Sequence, residues 1–421
     1  MTLKKNIVAN YLGIGTAALA PILALPWYLS ALGSEQFGLV SFVLMLQAVL
    51  GLIDAGMSQA LVREVTVRFN SAEGGRRSTA SLLYGFERIY WIFAMCAGCA
   101  TFLLSDVIAS NWLKLNGISV LTGKEAIYGA AVIFAVQFPG SIYRSLLVGV
   151  QSQVKLNAVV LVSALIRHAG GVVVVMAWPN LATYLIWQAL ISLLDTLVRG
   201  QLAWKTLGEK RKHFKWDAQE LRPVWRLALG MSSVTLLGAL TVQMDKIILS
   251  RLTTLEQFGY YTIAATIATG ALQLIYPLVQ AVLPRAIQLR ENPPELRRML
   301  VKLALLISAL VTMCIVFFLF LGKWLLISWL KGSPAVDVVY PVLSVLLIGT
   351  ALNAFYNIGY VNWVVHEKIK KVFFVNAMSL VLSVGLIPFL VSWYGVIGAA
   401  VGWMTINLIG FMFSVDWLKR K

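Results

Sequence analysis

The sequence predicts an all-α integral membrane protein with about twelve transmembrane helices. Hydrophobic residues make up 59% of the chain and charged residues only 13%, with a mean hydropathy of +0.80, whereas a soluble domain carries about 25% charged residues. The apolar residues stand in continuous runs and do not alternate with polar ones, as they would in barrel strands. Because backbone amides in lipid must be satisfied within a helix or a closed barrel, these runs predict helices.

A span needs about 20 apolar residues, and the chain contains twelve suitable runs, numbered here as spans 1 to 12: 7–32, 35–60, 80–105, 126–150, 157–177, 181–204, 224–250, 258–284, 299–322, 339–365, 371–392 and 396–415. The first run exceeds the roughly 7–15-residue core of a cleaved signal peptide, so it is predicted to be a retained helix. Cys96, Cys99 and Cys314 all fall inside spans. No disulfide, metal site or cofactor is predicted.

Basic residues predict the orientation of the chain. With the N-terminus in the cytoplasm, 24 Lys and Arg lie in cytoplasmic segments and 5 on the opposite face. Since Lys and Arg concentrate in cytoplasmic loops, both termini are predicted to be cytoplasmic. The net charge of +17 then reflects topology and attraction to membrane lipid headgroups. Nucleic-acid binding is not expected, because no soluble domain remains to present a basic surface.

The tetrapeptide EQFG begins at Glu35 and again at Glu256, each time between two apolar runs and after a similar Leu-Ser-x-Leu flank. These matches predict an internal duplication, although chance reuse of a tight hairpin is the alternative. The predicted domains are an N-terminal six-helix lobe (1–204), a charged cytoplasmic linker (205–223) and a C-terminal six-helix lobe (224–421). Six spans per half predict parallel repeats around a central cleft, an architecture that suits alternating access.

Several segments together carry a family resemblance. Residues 32–64, LGSEQFGLVSFVLMLQAVLGLIDAGMSQALVRE, resemble the first hairpin of Wzx-type polysaccharide flippases, and residues 243–267, QMDKIILSRLTTLEQFGYYTIAATI, are similar to their seventh and eighth helices. The stretches PLVQAVLPRAIQLRENPPELRRML and WYGVIGAAVGW are similar to the exit from their eighth helix and to their last hairpin. The resemblance extends over both halves of the chain.

This resemblance implies membership of the multidrug/oligosaccharidyl-lipid/polysaccharide exporter superfamily. It implies a non-enzymatic flippase that turns undecaprenyl pyrophosphate-linked oligosaccharide from the cytoplasmic to the periplasmic leaflet of the bacterial inner membrane. The product would serve O-antigen or other surface polysaccharide synthesis. The implied protein partners are a polysaccharide polymerase and chain-length proteins.

Charged residues inside spans mark candidate binding positions, because each costs about 2.5–3.5 kcal/mol on insertion scales. In span 4, Arg144 is predicted to lie on one polar helical face with Gln137, Ser141, Gln151 and Lys155. In span 5, Arg167 has no acid three or four positions away. We therefore predict that a pyrophosphate headgroup binds to Arg144, Arg167 and Lys246, the last of which lies in span 7. The alternative for Arg167 is pairing with an acid on another helix.

Acidic residues inside spans have other expected roles. Asp195 and Arg199 are four residues apart and are predicted to pair on one helix. Asp245 and Lys246 are adjacent, so their side chains are expected to be poor partners. Asp54 and Asp245 are candidates for ion coupling, although Asp54 could also brace the bend at Gly56.

Asn353, Asn357 and Tyr360 in span 10 form a candidate glycan wall, since amides and aromatic faces suit sugars. A stripe that packs helices together is the alternative reading. Two other functions remain open at this stage. One is a small-molecule exporter of the same superfamily. The other is a membrane-embedded glycan polymerase or glycosyltransferase, which would need a large loop of catalytic residues that the sequence does not show.

Overall fold

The computed structural model describes residues 2–54, 56–71 and 74–418, without the side chains of residues 2–14, 219–220, 223 and 225–233. All regular secondary structure in these ranges is helical. The chain divides into two compact units, Met1–Leu236 and Leu237–Lys421. The predicted linker and its boundaries at 205 and 223 stay a prediction.

The first unit contains the helices of spans 1 to 6. They are α1 (Thr2–Leu32), α2 (Ser34–Leu50), α3 (Met57–Phe69), α4 (Gly75–Leu103), the short α5 (Ser105–Val107), α6 (Val120–Gln137), α7 (Gly140–Gly149), α8 (Gln153–Leu165), α9 (Gly171–Ala177) and α10 (Leu181–Leu207). A short 3₁₀ turn at Arg211–His213 leads into α11 (Ala218–Leu252), which runs from the first unit into the second.

The remaining helices belong to the second unit. They are α12 (Leu255–Leu272), α13 (Tyr276–Gln288), α14 (Pro293–Trp329), α15 (Ala335–Val365), α16 (Ile369–Tyr394) and α17 (Val396–Ser414), followed by a 3₁₀ turn at Val415–Leu418. Span 8 is thus divided between α12 and α13, whereas spans 9 to 12 are single helices.

Eleven helical segments of the described chain are long and apolar enough to cross a membrane. They coincide with every predicted span except the seventh. The seventh run lies in α11, a continuous helix of 35 residues, which is longer than the roughly 20 residues that a crossing needs. The all-α, multi-pass architecture predicted from the hydropathy is confirmed.

The two units use the same helix pairings. In the first unit, span 4 packs against spans 2, 3 and 6, and span 1 packs against span 5. In the second unit, span 10 packs against spans 8, 9 and 12. Spans 7 and 11 meet where the Thr241 hydroxyl approaches the Asn376 carbonyl at 3.5 Å. This correspondence is what a duplicated six-helix unit requires, while the predicted central cleft stays a prediction.

Both EQFG copies occupy the first turn of a helix that follows a short break. Glu35 opens α2 after Gly33, whose φ of 78° ends the preceding helix. Glu256 opens α12 after Thr254, whose side chain caps the helix by accepting from the Gln257 amide. The two glutamates bind differently: Glu35 accepts from the Gly117 amide at 3.0 Å, and Glu256 accepts from the Tyr260 hydroxyl at 2.7 Å.

The polar stripe predicted along span 4 is shorter than expected. The helix ends at Gly149, and Gln151 adopts a positive φ of 57° in the turn that follows. Lys155 therefore belongs to α8 in span 5, and the prediction that it continues the face of Arg144 is wrong. The hydrophobic run hides this boundary, because the turn residues are flanked by apolar residues on both sides.

Candidate functional site

Three arginines from three spans of the first unit are linked electrostatically through Arg199. Arg144 lies on α7, Arg199 lies on α10, and Arg167 lies in a π-helical turn, Ile166–Gly170, between α8 and α9. Arg144 and Arg167 are both electrostatic neighbours of Arg199. We call these three residues the arginine cluster. Single π turns often mark functional positions in helices.

Arg199 is held by the acid that the sequence predicts as its partner. Its Nε donates to Asp195 Oδ1 at 3.0 Å, and its Nη2 lies 2.7 Å from Asp195 Oδ2. Ser163 of α8 also donates to Asp195 Oδ1, at 2.8 Å. The bond from Ser163 joins spans 5 and 6, and the predicted helical i, i+4 ion pair is confirmed.

Arg167 finds its neighbours on other helices. Its Nη1 approaches Gln137 Oε1 at 3.4 Å, and the same oxygen accepts from the Ser192 hydroxyl at 3.3 Å. Its backbone carbonyl accepts from Trp187 Nε1 at 3.1 Å. Asp195 is an electrostatic neighbour of Arg167 but already forms the two-point pair with Arg199. The side chain therefore has a neutral amide as its hydrogen-bond partner.

Arg144 is exposed on the surface of the first unit, although its neighbours Tyr143 and Ser145 are buried. Consecutive helical residues point about 100° apart, so the Arg144 side chain points away from the side of α7 that packs against other helices. Among the described side chains, Asp195 is the acid that pairs with an arginine of the cluster. The three guanidinium groups and this carboxylate together carry a net positive charge. Such an arrangement attracts an anion, because arginine stays charged in proteins and offers paired donors.

Sequence reasoning placed Arg199 in a structural pair and missed its membership of the cluster. It also missed a second polar group, in which Tyr143 donates a hydrogen bond to the buried Glu87 and Arg211 Nε lies 3.0 Å from Glu87 Oε2. The available signal was the adjacent pair Glu87-Arg88 inside the apolar run of span 3.

In the second unit, Lys246 bonds to its neighbour in the sequence. Its Nζ lies 3.2 Å from Asp245 Oδ1 and also donates to the Val242 carbonyl at 3.2 Å. The expectation that adjacent Asp245 and Lys246 are poor partners is wrong, because the flexible lysine stem folds back along the helix. Asp245 additionally accepts from the buried Tyr261 hydroxyl at 2.6 Å.

The Asp54 carboxylate accepts hydrogen bonds from two side chains of its own unit. It ends a 3₁₀ turn before Gly56, whose φ is 84°, and accepts from the Ser58 hydroxyl at 2.5 Å and from Tyr90. These bonds join the two sides of the bend to span 3. They correspond to the bracing role that the sequence left open for Asp54.

The asparagines of span 10 join two helices. Asn353 Nδ2 donates to Asn407 Oδ1 of span 12 at 2.7 Å, and Asn357 Nδ2 donates to the Asn353 carbonyl at 2.8 Å. Tyr360 lies next to Tyr356, with ring centroids 6.5 Å apart. These contacts favour the helix-packing alternative for Asn353, and the glycan wall stays a prediction.

Comparison with known proteins decides the family. A family model described as polysaccharide biosynthesis protein matches residues 3–290, more than half of the chain. The chain belongs to the polysaccharide biosynthesis protein family. It is 22% identical to a candidate O-antigen transporter of Shigella flexneri, over 100% of this chain and 98% of that protein. It is also 22% identical to an uncharacterized membrane protein in the cps region of Klebsiella pneumoniae, over 88% and 72% of the two chains.

Solved structures show which fold this family member shares. An inward-facing multidrug resistance MATE family transporter of the MOP superfamily matches with a TM-score of 0.74 at 15% identity, covering 95% of this chain and 93% of that chain. The lipid II flippase MurJ, in an inward closed conformation, matches with a TM-score of 0.73 at 14% identity, covering 99% and 87%. The family resemblance predicted from the sequence and the helical transporter fold are confirmed.

Proposed function

We propose that the protein is a flippase that carries undecaprenyl pyrophosphate-linked oligosaccharide from the cytoplasmic to the periplasmic leaflet of the bacterial inner membrane. It would work by alternating access, with both termini in the cytoplasm, and supply O-antigen or another surface polysaccharide. The membership of the polysaccharide biosynthesis family and the full-length similarity to a candidate O-antigen transporter support this class of cargo. A polysaccharide polymerase and chain-length proteins are the proposed downstream partners.

The arginine cluster is the observation that carries the proposal. Arg144 and Arg167, both on membrane-spanning segments, act electrostatically on Arg199, and Asp195 forms its ion pair with Arg199. Placing each charge at membrane depth is unfavourable by about 2.5–3.5 kcal/mol on insertion scales, so the cluster needs a polar environment or an anionic ligand. A pyrophosphate is such a ligand, and guanidinium groups bind phosphate oxygens through two parallel hydrogen bonds.

The three arginines have different proposed roles. Arg144 is exposed and Arg167 has a neutral amide partner, so both can exchange their contacts for a pyrophosphate oxygen. Arg199 is held by Asp195 and is a positioning residue. Lys246 is proposed as a further headgroup ligand, which would first have to leave Asp245. The prenyl tail would remain in lipid while the charged head passes through the protein.

Asp54 and Asp245 are proposed to couple transport to a proton or another cation. Both carboxylates accept a hydrogen bond from a buried tyrosine, Tyr90 and Tyr261 respectively. Asn357 and Tyr360, with Asn353, are proposed as polar contacts for the sugar chain.

A small-molecule exporter is the second candidate, because the fold matches a multidrug transporter and a lipid flippase with nearly equal TM-scores of 0.74 and 0.73. The fold alone therefore does not choose the cargo. The positive arginine cluster favours an anionic cargo over a cationic drug, since like charges repel in a medium of low dielectric constant.

The experiment that tests the proposal is deletion of the gene followed by analysis of lipid-linked glycans in the cytoplasmic leaflet. We expect one undecaprenyl pyrophosphate-linked oligosaccharide to accumulate there and the matching surface polysaccharide to disappear. Re-expression of the gene should reverse both effects. Normal surface polysaccharide, combined with a raised cellular content of small cationic compounds, would favour the exporter.

A further inference from the structure

A pocket of about 490 Å³ lies on the first unit, and its lining residues include none of the three arginines of the cluster. Its lining comes from spans 3, 4 and 6 and from the segment after span 6: Glu87, Arg88, Trp91, Ile92, Tyr143, Leu197 and Arg211. Arg88 and Arg211 outnumber Glu87, so the lining carries a net positive charge. Sequence analysis assigns no role to this group.

The polar end of the pocket is built around a buried carboxylate. The Glu87 side chain is only 3% exposed, accepts a hydrogen bond from Tyr143 and forms an ion pair with Arg211 Nε at 3.0 Å. Arg211 itself remains 58% exposed while paired. Arginine has five N–H donors, so pairing through Nε leaves donors that can reach a ligand in the pocket.

The segment that supplies Arg211 is fixed to the first unit. Phe214 is buried, and its ring centroid lies 6.0 Å from that of Trp204 and 6.5 Å from that of Tyr84. Arg88 stacks on the Tyr84 ring at 4.5 Å. Both arginines are therefore held in place, and the exposed Lys210, Lys212 and Lys215 add positive charge to the segment that contains Arg211.

The pocket changes from polar to apolar along the direction of the helices. Arg211 lies four residues after the end of α10, which places it at the end of span 6, and Arg88 of α4 lines the same pocket. Ile92 lies one helical turn, about 6 Å, beyond Arg88 on α4. Ile92 is 62% exposed and Leu197 is 47% exposed. Exposed aliphatic side chains on a membrane span face acyl chains, and the half-buried Trp91 precedes Ile92 in the same lining.

We propose that this pocket binds the phosphate headgroup of an anionic membrane phospholipid. Arg88 and Arg211 bind the phosphate, and the glycerol end of the acyl chains lies along Trp91, Ile92 and Leu197. Basic pockets between spans at a membrane surface bind acidic lipid headgroups in this manner. The bound lipid would attach the segment around Arg211 to the membrane surface. This proposal does not depend on the identity of the transported cargo.

Native mass spectrometry of the purified full-length protein tests the proposal. The protein in detergent is mixed with equal amounts of phosphatidylglycerol and phosphatidylcholine that carry identical acyl chains. We expect preferential retention of phosphatidylglycerol. Each basic residue near a membrane surface contributes on the order of a five-fold gain in affinity for anionic lipid. The double variant Arg88→Gln/Arg211→Gln should therefore lower the affinity for phosphatidylglycerol by roughly 25-fold.

Two further variants separate ligand binding from protein stability. Arg88→Gln removes one positive charge and leaves the Glu87–Arg211 ion pair intact; it should lower the affinity for phosphatidylglycerol by roughly five-fold without a loss of protein stability. Arg290→Gln is the matched control, because Arg290 is an exposed arginine that pairs with Glu367 in the second unit, outside the pocket lining. It should retain phosphatidylglycerol as the wild type does.

Three results would overturn the proposal. One is equal retention of the two lipids by the wild type. Another is unchanged retention of phosphatidylglycerol in Arg88→Gln/Arg211→Gln. The last is complete displacement of the lipid by millimolar inorganic phosphate, which would identify a site for a free anion. Retention of phosphatidylglycerol despite added phosphate supports the lipid.

Discussion

The Arg199 guanidinium contacts the Asp195 carboxylate at two points, with Nε 3.0 Å from Oδ1 and Nη2 2.7 Å from Oδ2. Both residues lie on α10, one helical turn apart. Because this contact engages the acid of the arginine cluster, Arg144 and Arg167 keep charges that no ion pair in the described structure neutralises. This division of roles leads directly to two of the predictions below.

Charge at Arg144 and Arg167 should matter more for transport than side-chain shape. Arg→Ala at either position is expected to lower surface glycan at least about ten-fold, while the protein remains in the membrane. Arg→Lys should retain partial transport, because lysine keeps the charge and loses the paired donors. The measurement is surface glycan normalised to membrane protein level. Exposed Arg298 provides a control: its alanine variant should transport normally, and normal export in Arg144→Ala and Arg167→Ala would refute the binding role.

The Arg199–Asp195 pair should contribute mainly to stability. Arg199→Ala leaves a largely buried carboxylate without its two-point partner, and breaking such a pair costs about 3–5 kcal/mol. We expect a lower Tm and a several-fold lower membrane protein level. Asp195→Asn added to Arg199→Ala should restore much of both, because the uncompensated charge is removed. A normal Tm for the single variant would contradict a structural role.

Cysteine labelling should establish the predicted topology. In a background with Cys96, Cys99 and Cys314 replaced by alanine, an impermeant thiol reagent added to intact cells should label Asn116→Cys and Ser333→Cys. It should label Lys210→Cys only after the inner membrane is permeabilised. Glycines in these loops are poorer positions, since a Cβ on Gly117 would lie 2.6 Å from Glu35 Oε2 and Gly208 has a φ of +73°. Labelling of residue 210 in intact cells would reverse the orientation.

The Asn353–Asn407 hydrogen bond should stabilise the packing of span 10 on span 12. Each single alanine variant is expected to lose on the order of 1 kcal/mol of stability, and the double variant should lose little more than either one. Thermal unfolding of all four proteins gives the coupling energy. Unchanged stability together with reduced export in Asn353→Ala would instead favour the glycan wall.

Close helix packing should make Gly359 intolerant of any side chain. A Cβ there would lie 2.1 Å from the Ser414 carbonyl oxygen, so Gly359→Ala must separate α15 from α17 and should reduce Tm and protein level. Gly385 on α16 is the matched comparison, with no atom within 4 Å of its added Cβ. Gly385→Ala should be neutral or stabilising by up to about 1 kcal/mol, because alanine favours helix. Equal stability of the two variants would show that α15 and α17 can separate without loss.

Patterns within single helices could be read from the sequence. Hydropathy located the spans, because each must bury its backbone in a lipid solvent whatever its neighbours are. The i, i+4 spacing identified the Asp195–Arg199 pair, because residues one helical turn apart lie next to each other on the helix surface. The two EQFG copies marked matching local positions, since each lies in the first turn of a helix that follows a short break.

Contacts between helices were decided only by the tertiary structure. Three pairs show the separation along the chain. Arg167 and Gln137 are 30 positions apart, and Asn353 and Asn407 are 54 positions apart. Glu87 and Arg211 are 124 positions apart. No local period connects such residues, because the meeting of two helices depends on how all side chains of a unit pack. The amino-acid sequence by itself determined the spans, because each span satisfies its own backbone in lipid. The packing of the helices determined which charges form ion pairs, because that depends on contacts between distant segments.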